Sequence, residues 1–316
     1  MRLVYSEHFD VYQHLAAEAY FLHEYDGDVL MIWRSHDAVV CGKHQNACGE
    51  ANYKFCHQKN IRIARRLSGG GTVFHDLGNI NFTFVKKLTE GMERAVDYKR
   101  YLEPVRTVLR SLGIETTYSQ RDDLLLNNIK ISGNAQHIYQ KGMKGLHHGT
   151  LLYDANLISL GEAIHSGGVY EGKSVPSNRS AVTNIRECHD LGTTESFIKQ
   201  LLVGFESLYG VRFADLNAEE QRKCASISQE KFSQESWILG YSPRYTHKRV
   251  LNWSEGSFQL EMRVHQDAIE ELKLVDINGV FGFEEACRSL IGKPLRMSML
   301  QGAFKGVTSE ELLDLF

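Results

Sequence analysis

The sequence predicts an α+β protein, on three observations. Strand patterns both precede and follow a run of three glycines, Gly69-Gly70-Gly71, where a P-loop or dinucleotide-binding loop would instead open a helix. Three further strand patterns crowd into residues 124–153. The clearest amphipathic helices, over 94–112 and through Phe197, Leu201, Phe205 and Leu208, lie outside these strand-rich stretches.

The elements follow in order. Asp10 is placed to cap a helix whose apolar face is Val11, Leu15, Ala19 and Leu22. Val29–Trp33 and Ala38–Cys41 are short apolar runs around Ser35-His36-Asp37 and read as a hairpin. Ile61–Ala64 forms the strand before the glycines, and Ile80, Phe82 and Phe84 alternate in the strand after them. Leu102, Val105, Leu109 and Leu112 give the helix over 94–112 its core face, and Gly113 ends it. Strand patterns at 124–126 and 129–133 are joined by Asn127-Asn128, a tight turn, and another runs over 149–153. Ser166 to Ser180 is rich in glycine and serine and reads as a mobile surface loop that covers a substrate. The helix ending near Gly210 comes next, then one opened by Asn217 with Glu220 at capping-box spacing. A boundary falls near Tyr241-Ser242-Pro243-Arg244, dividing a large domain (1–243) from a small one (244–316). In the latter, strands at 258–264 and 271–275 are followed by an Asn278-Gly279 turn and helical segments at 283–291 and 308–316.

The 316 residues are 42% hydrophobic and 24% charged, the balance of a globular protein with a sizeable core. A net charge of −3, from 36 basic and 39 acidic residues, argues against a general nucleic-acid binder. The chain has no apolar run of spanning length, and residues 1–8 lack the apolar region of a signal peptide, so a cytoplasmic protein is expected. Six cysteines without a CxxC pair fit reduced thiols. Cys41, His44, Cys48, Cys56 and His57 match no compact zinc spacing and read as buried thiols and their neighbours.

Chemistry concentrates around the glycines. Arg65-Arg66 precede them and His75-Asp76 follow, so the bare backbone reads as an anion cradle or, more plainly, as a tight turn. Lys130 lies in a strand between Ile129 and Ile131, facing either solvent or a bound carboxylate or phosphate. Asp122-Asp123 at the mouth of a strand is either a solvated turn or a contact for Mg²⁺. His147 and His148 are adjacent in a strand-like stretch, so one supports the site and the other packs elsewhere.

Together, Arg65-Arg66-x-Ser68-Gly69-Gly70-Gly71-x-Val73-x-His75-Asp76-x-Gly78-Asn79, Asp123-Leu124, Lys130-Ile131-Ser132-Gly133 and His147-His148-Gly149-Thr150-Leu151-Leu152 resemble the lipoate–protein ligase family, A type. Trp33, Gly42 and Gln45-Asn46 upstream, and Val182-Thr183-Asn184 downstream, extend the resemblance over residues 1 to roughly 245. It implies a mixed, largely antiparallel sheet flanked by helices, shared with biotin ligases, and a small C-terminal α/β accessory domain. It also implies an ATP-dependent ligase that converts lipoate to lipoyl-AMP with release of pyrophosphate. The acyl group then passes to a lysine of lipoyl carrier domains: the E2 subunits of 2-oxoacid dehydrogenases and the H protein of glycine cleavage. By resemblance Arg66, Ser68, Gly70, Gly71, Thr72, Val73, Phe74 and Lys130 bind ATP and lipoyl-AMP, with Lys130 bridging acyl carbonyl and phosphate. His75, Asn79, His148, Gly149 and Thr150 form or support the lipoate pocket, and Asp123 contacts Mg²⁺.

Two positions depart from the family pattern. Ala47 stands where many relatives carry Pro, and Asp122 where an Asn is frequent. Two rival functions have the same cradle. An ATP-independent octanoyl or lipoyl transferase would hold its acyl group on a cysteine, for which Cys188 is the candidate. A non-catalytic lipoyl-AMP or carrier-binding protein would bind without turnover.

Overall fold

The computed structural model describes residues 1–316 except 89–96, 165–166, 179 and 277–281. In chain order the strands are β1 (Arg2–Tyr5), β2 (Val29–Trp33), β3 (Ala38–Cys41), β4 (Arg62–Arg65), β5 (Val73–His75), β6 (Asn79–Lys87), β7 (Thr117–Tyr118) and β8 (Leu124–Leu126). They continue with β9 (Ile129–Ser132), β10 (Asn134–Tyr139), β11 (Lys144–Leu152), β12 (Val169–Gly172), β13 (Phe213–Ala214), β14 (Tyr245–Trp253), β15 (Gly256–His265) and β16 (Ala268–Asp276). Of the helices, α1 (Val11–His23), α2 (Ala47–Glu50), α3 (Tyr53–Gln58) and α4 (Tyr98–Ser111) precede the C-terminal half. That half contains α5 (Leu157–Ala163), α6 (Thr194–Tyr209), α7 (Ala218–Ile227) and α8 (Glu235–Ile238), then α9 (Glu284–Leu290), α10 (Met297–Ala303) and α11 (Ser309–Leu312). Among the described residues, no helix is long and apolar enough to cross a membrane.

The architecture is the mixed, mostly antiparallel one. A six-stranded sheet runs β10-β11-β6-β2-β1-β13, with β1 parallel to β2 and β13 and the other neighbours antiparallel. Leu30, Ile32, Ile80, Phe82 and Phe84 bury one face against Leu102, Val105 and Leu109 of α4 and Leu201 and Phe205 of α6. Val29, Met31 and Trp33 bury the other against Leu15, Phe21 and Leu22 of α1. Small sheets β4-β3-β5 and β7-β8-β9 adjoin it, and β12-β14-β15-β16 forms the C-terminal sheet.

The expected hairpin of Val29–Trp33 with Ala38–Cys41 does not form. β2 pairs with β1 and β6, whereas β3 pairs with β4 and β5. Every residue of both strands is buried, because each strand is covered on both faces. A strand of that kind reads as a continuous apolar run and carries no pattern that names its partner.

The Ser166–Ser180 stretch is likewise not all loop. Residues Val169–Gly172 form an edge strand antiparallel to β14, with Tyr170 stacked on His247 at 4.2 Å between ring centroids. Pairing with a strand over 70 residues away supplies the order that its own composition lacks. Ser166 and Arg179 of that stretch, the start of the helix expected at 94–96, and the Asn278-Gly279 turn lie outside the described residues. Ten further elements, β1, β7, β10, β13, β14, α2, α3, α5, α8 and α10, are not expected from the sequence. The Asn127-Asn128 turn has both residues in the left-handed region, at φ 51° and 64°, as the tight hairpin requires.

One buried arginine ties the glycine-loop region to the segment before the C-terminal sheet. Arg65 is fully buried and donates to the carbonyls of Gly42, Lys43, Gln45, Trp237 and Ile238 and to Ser242 Oγ. Ser242 Oγ also accepts from the amide of Ala47 at 3.3 Å, a donor that proline would lack. The Gly42, Gln45 and Ile238 carbonyls and Ser242 Oγ are buried acceptors that need a donor. Arg65→Met is therefore expected to destabilise by about 3 kcal/mol. A thermal melt checks this; a midpoint within a degree of the parent contradicts it.

Candidate active site

The glycine loop links β4 to β5 and is closed around Arg66. The Arg66 guanidinium donates from Nη2 to the carbonyls of Gly69 (2.5 Å) and Gly71 (2.7 Å) and from Nη1 to Val40 (3.0 Å). Its Nε donates to Ser68 Oγ at 2.9 Å. Burial lowers the Arg66 pKa to about 10, which leaves the group charged at neutral pH. Gly70 has φ +83°, and a side chain at Gly42 would put Cβ 2.1 Å from the Gly70 carbonyl oxygen. Both positions thus need glycine for backbone reasons.

β11 carries the two histidines on opposite faces, as alternation demands. His147 is buried against Tyr101, with ring planes 2° apart, and does not enter the site. His148 points the other way. Its Nε2 lies 2.6 Å from Ser68 Oγ and its Nδ1 2.9 Å from Glu18 Oε1 of α1. Glu18 also accepts from Thr83 Oγ1 at 2.6 Å, and Thr83 accepts from Trp33 Nε1 at 3.1 Å. Gly149 is opposite Phe82 in register, where a Cβ would come within 2.3 Å of the ring.

Two neighbouring cavities open beside these groups. The first, about 290 Å³, is lined by Leu15, Trp33, Val40, Arg66, His75, Asn81, His148 and Gly149, and towards its mouth by Tyr98, Arg121 and Asp123. The second, about 230 Å³, is mostly apolar, with Phe74, Leu152, Leu160, Ile164 and Val182 in its wall. Lys130, Thr72, Val73, Gly133, Thr150 and Ser177 line both. Lys130 Nζ is 3.0 Å from Asp123 Oδ1. Its carbonyl accepts from the amide of Thr183, which fastens Val182-Thr183-Asn184 beside the cavities.

Of the residues expected at the site, Arg66, Gly71, Thr72, Val73, Phe74, His75, Asp123, Lys130, His148, Gly149 and Thr150 line a cavity. Ser68, Gly70 and Asn79 line neither. Ser68 is buried behind the loop, Gly70 shapes the turn, and Asn79 is fully buried, donating to Asn81 Oδ1 at 3.1 Å. Asn81, two residues on, is the one exposed to the cavity. Asn81 Nδ2, Asn134 Oδ1 and His75 Nδ1 are buried at this wall without a hydrogen-bond partner among the described residues. Burial, with Arg66 next in effect, pushes His75 down to about 3.

The segment after β12 returns across the glycine loop. Ser177 Oγ accepts from the Thr72 amide at 2.8 Å and from Gln45 Nε2 at 3.0 Å, and it donates to Glu50. Gln45 Oε1 in turn accepts from the Gly42 amide and the Thr72 hydroxyl. Sequence reasoning missed Glu18, Asn81, Asn134 and Ser177. Glu18 left one signal: it lies on the Leu15–Leu22 stripe of α1, where a carboxylate is out of place.

The fold and the paired cavities are those of a ligase scaffold, and the chain belongs to the lipoyl protein ligase A/B catalytic-domain family, whose model matches residues 10–206. It is a ligase. The chain is similar to the lipoate-protein ligase LplJ of Bacillus subtilis strain 168, at 33% identity over 318 residues and 95% of each chain. Among solved structures it resembles lipoate-protein ligase A bound with ATP, with TM-score 0.64 and 25% identity, covering 76% of this chain and 98% of the other. The LipL1 protein of P. falciparum in complex with lipoate shares the fold over 99% of this chain and 97% of its own, with TM-score 0.65 and 20% identity.

Proposed function

We propose that the protein is an ATP-dependent lipoate–protein ligase that forms lipoyl-AMP and transfers the lipoyl group to a lysine of carrier domains. The observation that carries this reading is Lys130 at the junction of the two cavities. A reaction that joins two anions needs one cation within reach of both. The first cavity, closed by Leu15, Trp33 and Val40, suits the acyl chain, and the apolar second suits a nucleotide base.

The chemistry follows from these placements. A lipoate carboxylate oxygen attacks the α-phosphorus of ATP, the bond to the pyrophosphate oxygen breaks, and a mixed anhydride forms. Lys130 bridges the acyl carbonyl and the phosphate, and the amides of residues 71–74 donate to phosphate oxygens. Arg66 holds the loop that presents those amides. The neutral amine of a carrier lysine then attacks the acyl carbon, AMP leaves, and the amine sheds its proton. Asp123 fits a Mg²⁺ contact, because it lines the cleft and Mg²⁺ takes most of its ligands from phosphates and water. Residues 1–243 form the catalytic unit in this reading and 244–316 the accessory domain, and the protein acts in the cytoplasm. Its carriers are 2-oxoacid dehydrogenase E2 lipoyl domains and the glycine cleavage H protein.

A cysteine-based transferase finds less support. Cys188 is exposed beside Asn127 and lines neither cavity. Burial pushes Cys48 up to about 11 and Cys56 and Cys224 to about 12, away from reactive thiolates. The test is mass spectrometry of a lipoyl domain incubated with the enzyme. Modification with free lipoate and ATP is expected; modification from an acylated carrier without ATP overturns the reading.

Ser177 at the Thr72 amide gives a further expected result. A phosphate oxygen that takes this donor displaces Ser177, so the 173–178 segment rearranges on adenylate binding. A non-hydrolysable lipoyl-adenylate analogue should change amide exchange over 173–178 while leaving the β12 strand at 169–172 unchanged. Equal exchange in both states argues that the segment is only a connection.

A further inference from the structure

Glu18 lies outside every motif of the sequence, lines no cavity and is almost fully buried. Its hydrogen bonds can be assigned a direction at each step. Trp33 Nε1 only donates, so Thr83 Oγ1 accepts it and turns its own hydrogen to Glu18. Arg66 Nε also only donates, so Ser68 Oγ accepts it and keeps one hydrogen of its own to give. A carboxylate only accepts, so the His148 ring hydrogen sits on Nδ1, aimed at Glu18, and the neutral ring then offers Nε2 as an acceptor 2.6 Å from the Ser68 hydroxyl. Both chains of donors end on one carboxylate.

We infer that Glu18 is a positioning residue for the glycine loop, acting through His148 and Ser68 on the Arg66 guanidinium. Its carboxylate selects the Nδ1–H tautomer of His148, as a partner on the far ring nitrogen does for a metal-ligating histidine. The tautomer makes Nε2 an acceptor, which orients the Ser68 hydroxyl, and Ser68 holds Nε of the guanidinium that clamps Gly69 and Gly71. Glu18 also supplies charge balance. The other described hydrogen bonds of Arg66 go to neutral carbonyls, and a buried cation needs a compensating anion within the same network. The functional consequence rests on the loop being the nucleotide cradle; the relay itself does not.

The first arm of the test needs no substitution. Nitrogen-15 NMR of the histidine-labelled protein should find neutral His148 with its hydrogen on Nδ1; a ring protonated on Nε2 overturns the inference. The second arm titrates a non-hydrolysable ATP analogue into the parent, Glu18→Gln, Ser68→Ala and the double variant. Glu18→Gln is near-isosteric and should raise Kd about tenfold with little change in melting temperature. Within the Ser68→Ala background the same change should cost less than twofold, because the relay is already cut. Full additivity, or an unchanged Kd in Glu18→Gln, overturns the inference. A parent that shows the Nδ1 tautomer yet binds no ATP analogue would count against the proposed function and leave the tautomer relay standing.

Discussion

Replacing Lys130 by Met lowers lipoyl-AMP formation about a hundredfold, or about 3 kcal/mol of transition-state stabilisation, and leaves the fold intact. Lys130 lines both cavities, and its one described ion pair is with Asp123 at 3.0 Å. The side chain is partly exposed, so this pair contributes little to stability. Its value is in the reaction, where charge develops between carboxylate and phosphate. Methionine keeps the length of the stem and removes only the charge and the donors. Lys130→Arg should also fail, because a planar fork does not replace a compact ammonium at a point between two anions. Adenylate formation measured by pyrophosphate release is the check, with circular dichroism to confirm folding. Parent-like rates in either variant remove Lys130 from the catalytic centre.

The protein should lose its fold between pH 6.5 and 4 far more steeply than carboxylate titration alone produces. Burial lowers His14 to about 4, His75 to about 3 and His247 to about 4, and holds His147 well below its ordinary value. In the unfolded chain each titrates near 6.5. In that window the unfolded state binds protons that the folded state excludes, so stability is complete above about pH 6.5 and falls as the pH drops. Four such groups draw at most about 5 kcal/mol per pH unit, against a total of roughly 5–15 kcal/mol. Scanning calorimetry from pH 7.5 to 5 should show the melting temperature falling throughout. His147→Phe, in a site stacked against Tyr101 and Phe82, should reduce the slope by about one proton. A melting temperature independent of pH over this range contradicts the assignment of these imidazoles as buried and neutral.

What was legible in the sequence shares one property: its physical cause is local. Asp10, Asn217 with Glu220, and Gly210 act within a few residues of themselves, and each caps the helix expected of it. The glycine loop is local as well, and its Gly71 lines the first cavity together with Lys130 and His148. The failures are non-local. β2 and β3 looked like partners because nothing in two fully buried apolar strands says which third strand each will meet. β12 looked like loop because its order comes from β14, far along the chain. Ser68, Gly70 and Asn79 belong to the same motif yet line neither cavity, because motif membership does not separate a residue at the cavity surface from one that shapes the wall behind it. Glu18 shows the converse. It belongs to no motif, and its partners His148 and Thr83 come from two other elements that meet α1 only in the folded protein.

If the two cavities hold the two halves of one acyl-adenylate, a single turnover without any carrier protein should reveal it. Enzyme in excess is mixed with ATP and limiting free lipoate, and pyrophosphate is followed in time. One pyrophosphate per lipoate is expected, with lipoyl-AMP retained on the protein and no release when either substrate is omitted. Pyrophosphate release that does not depend on lipoate, or none with both substrates present, would contradict it.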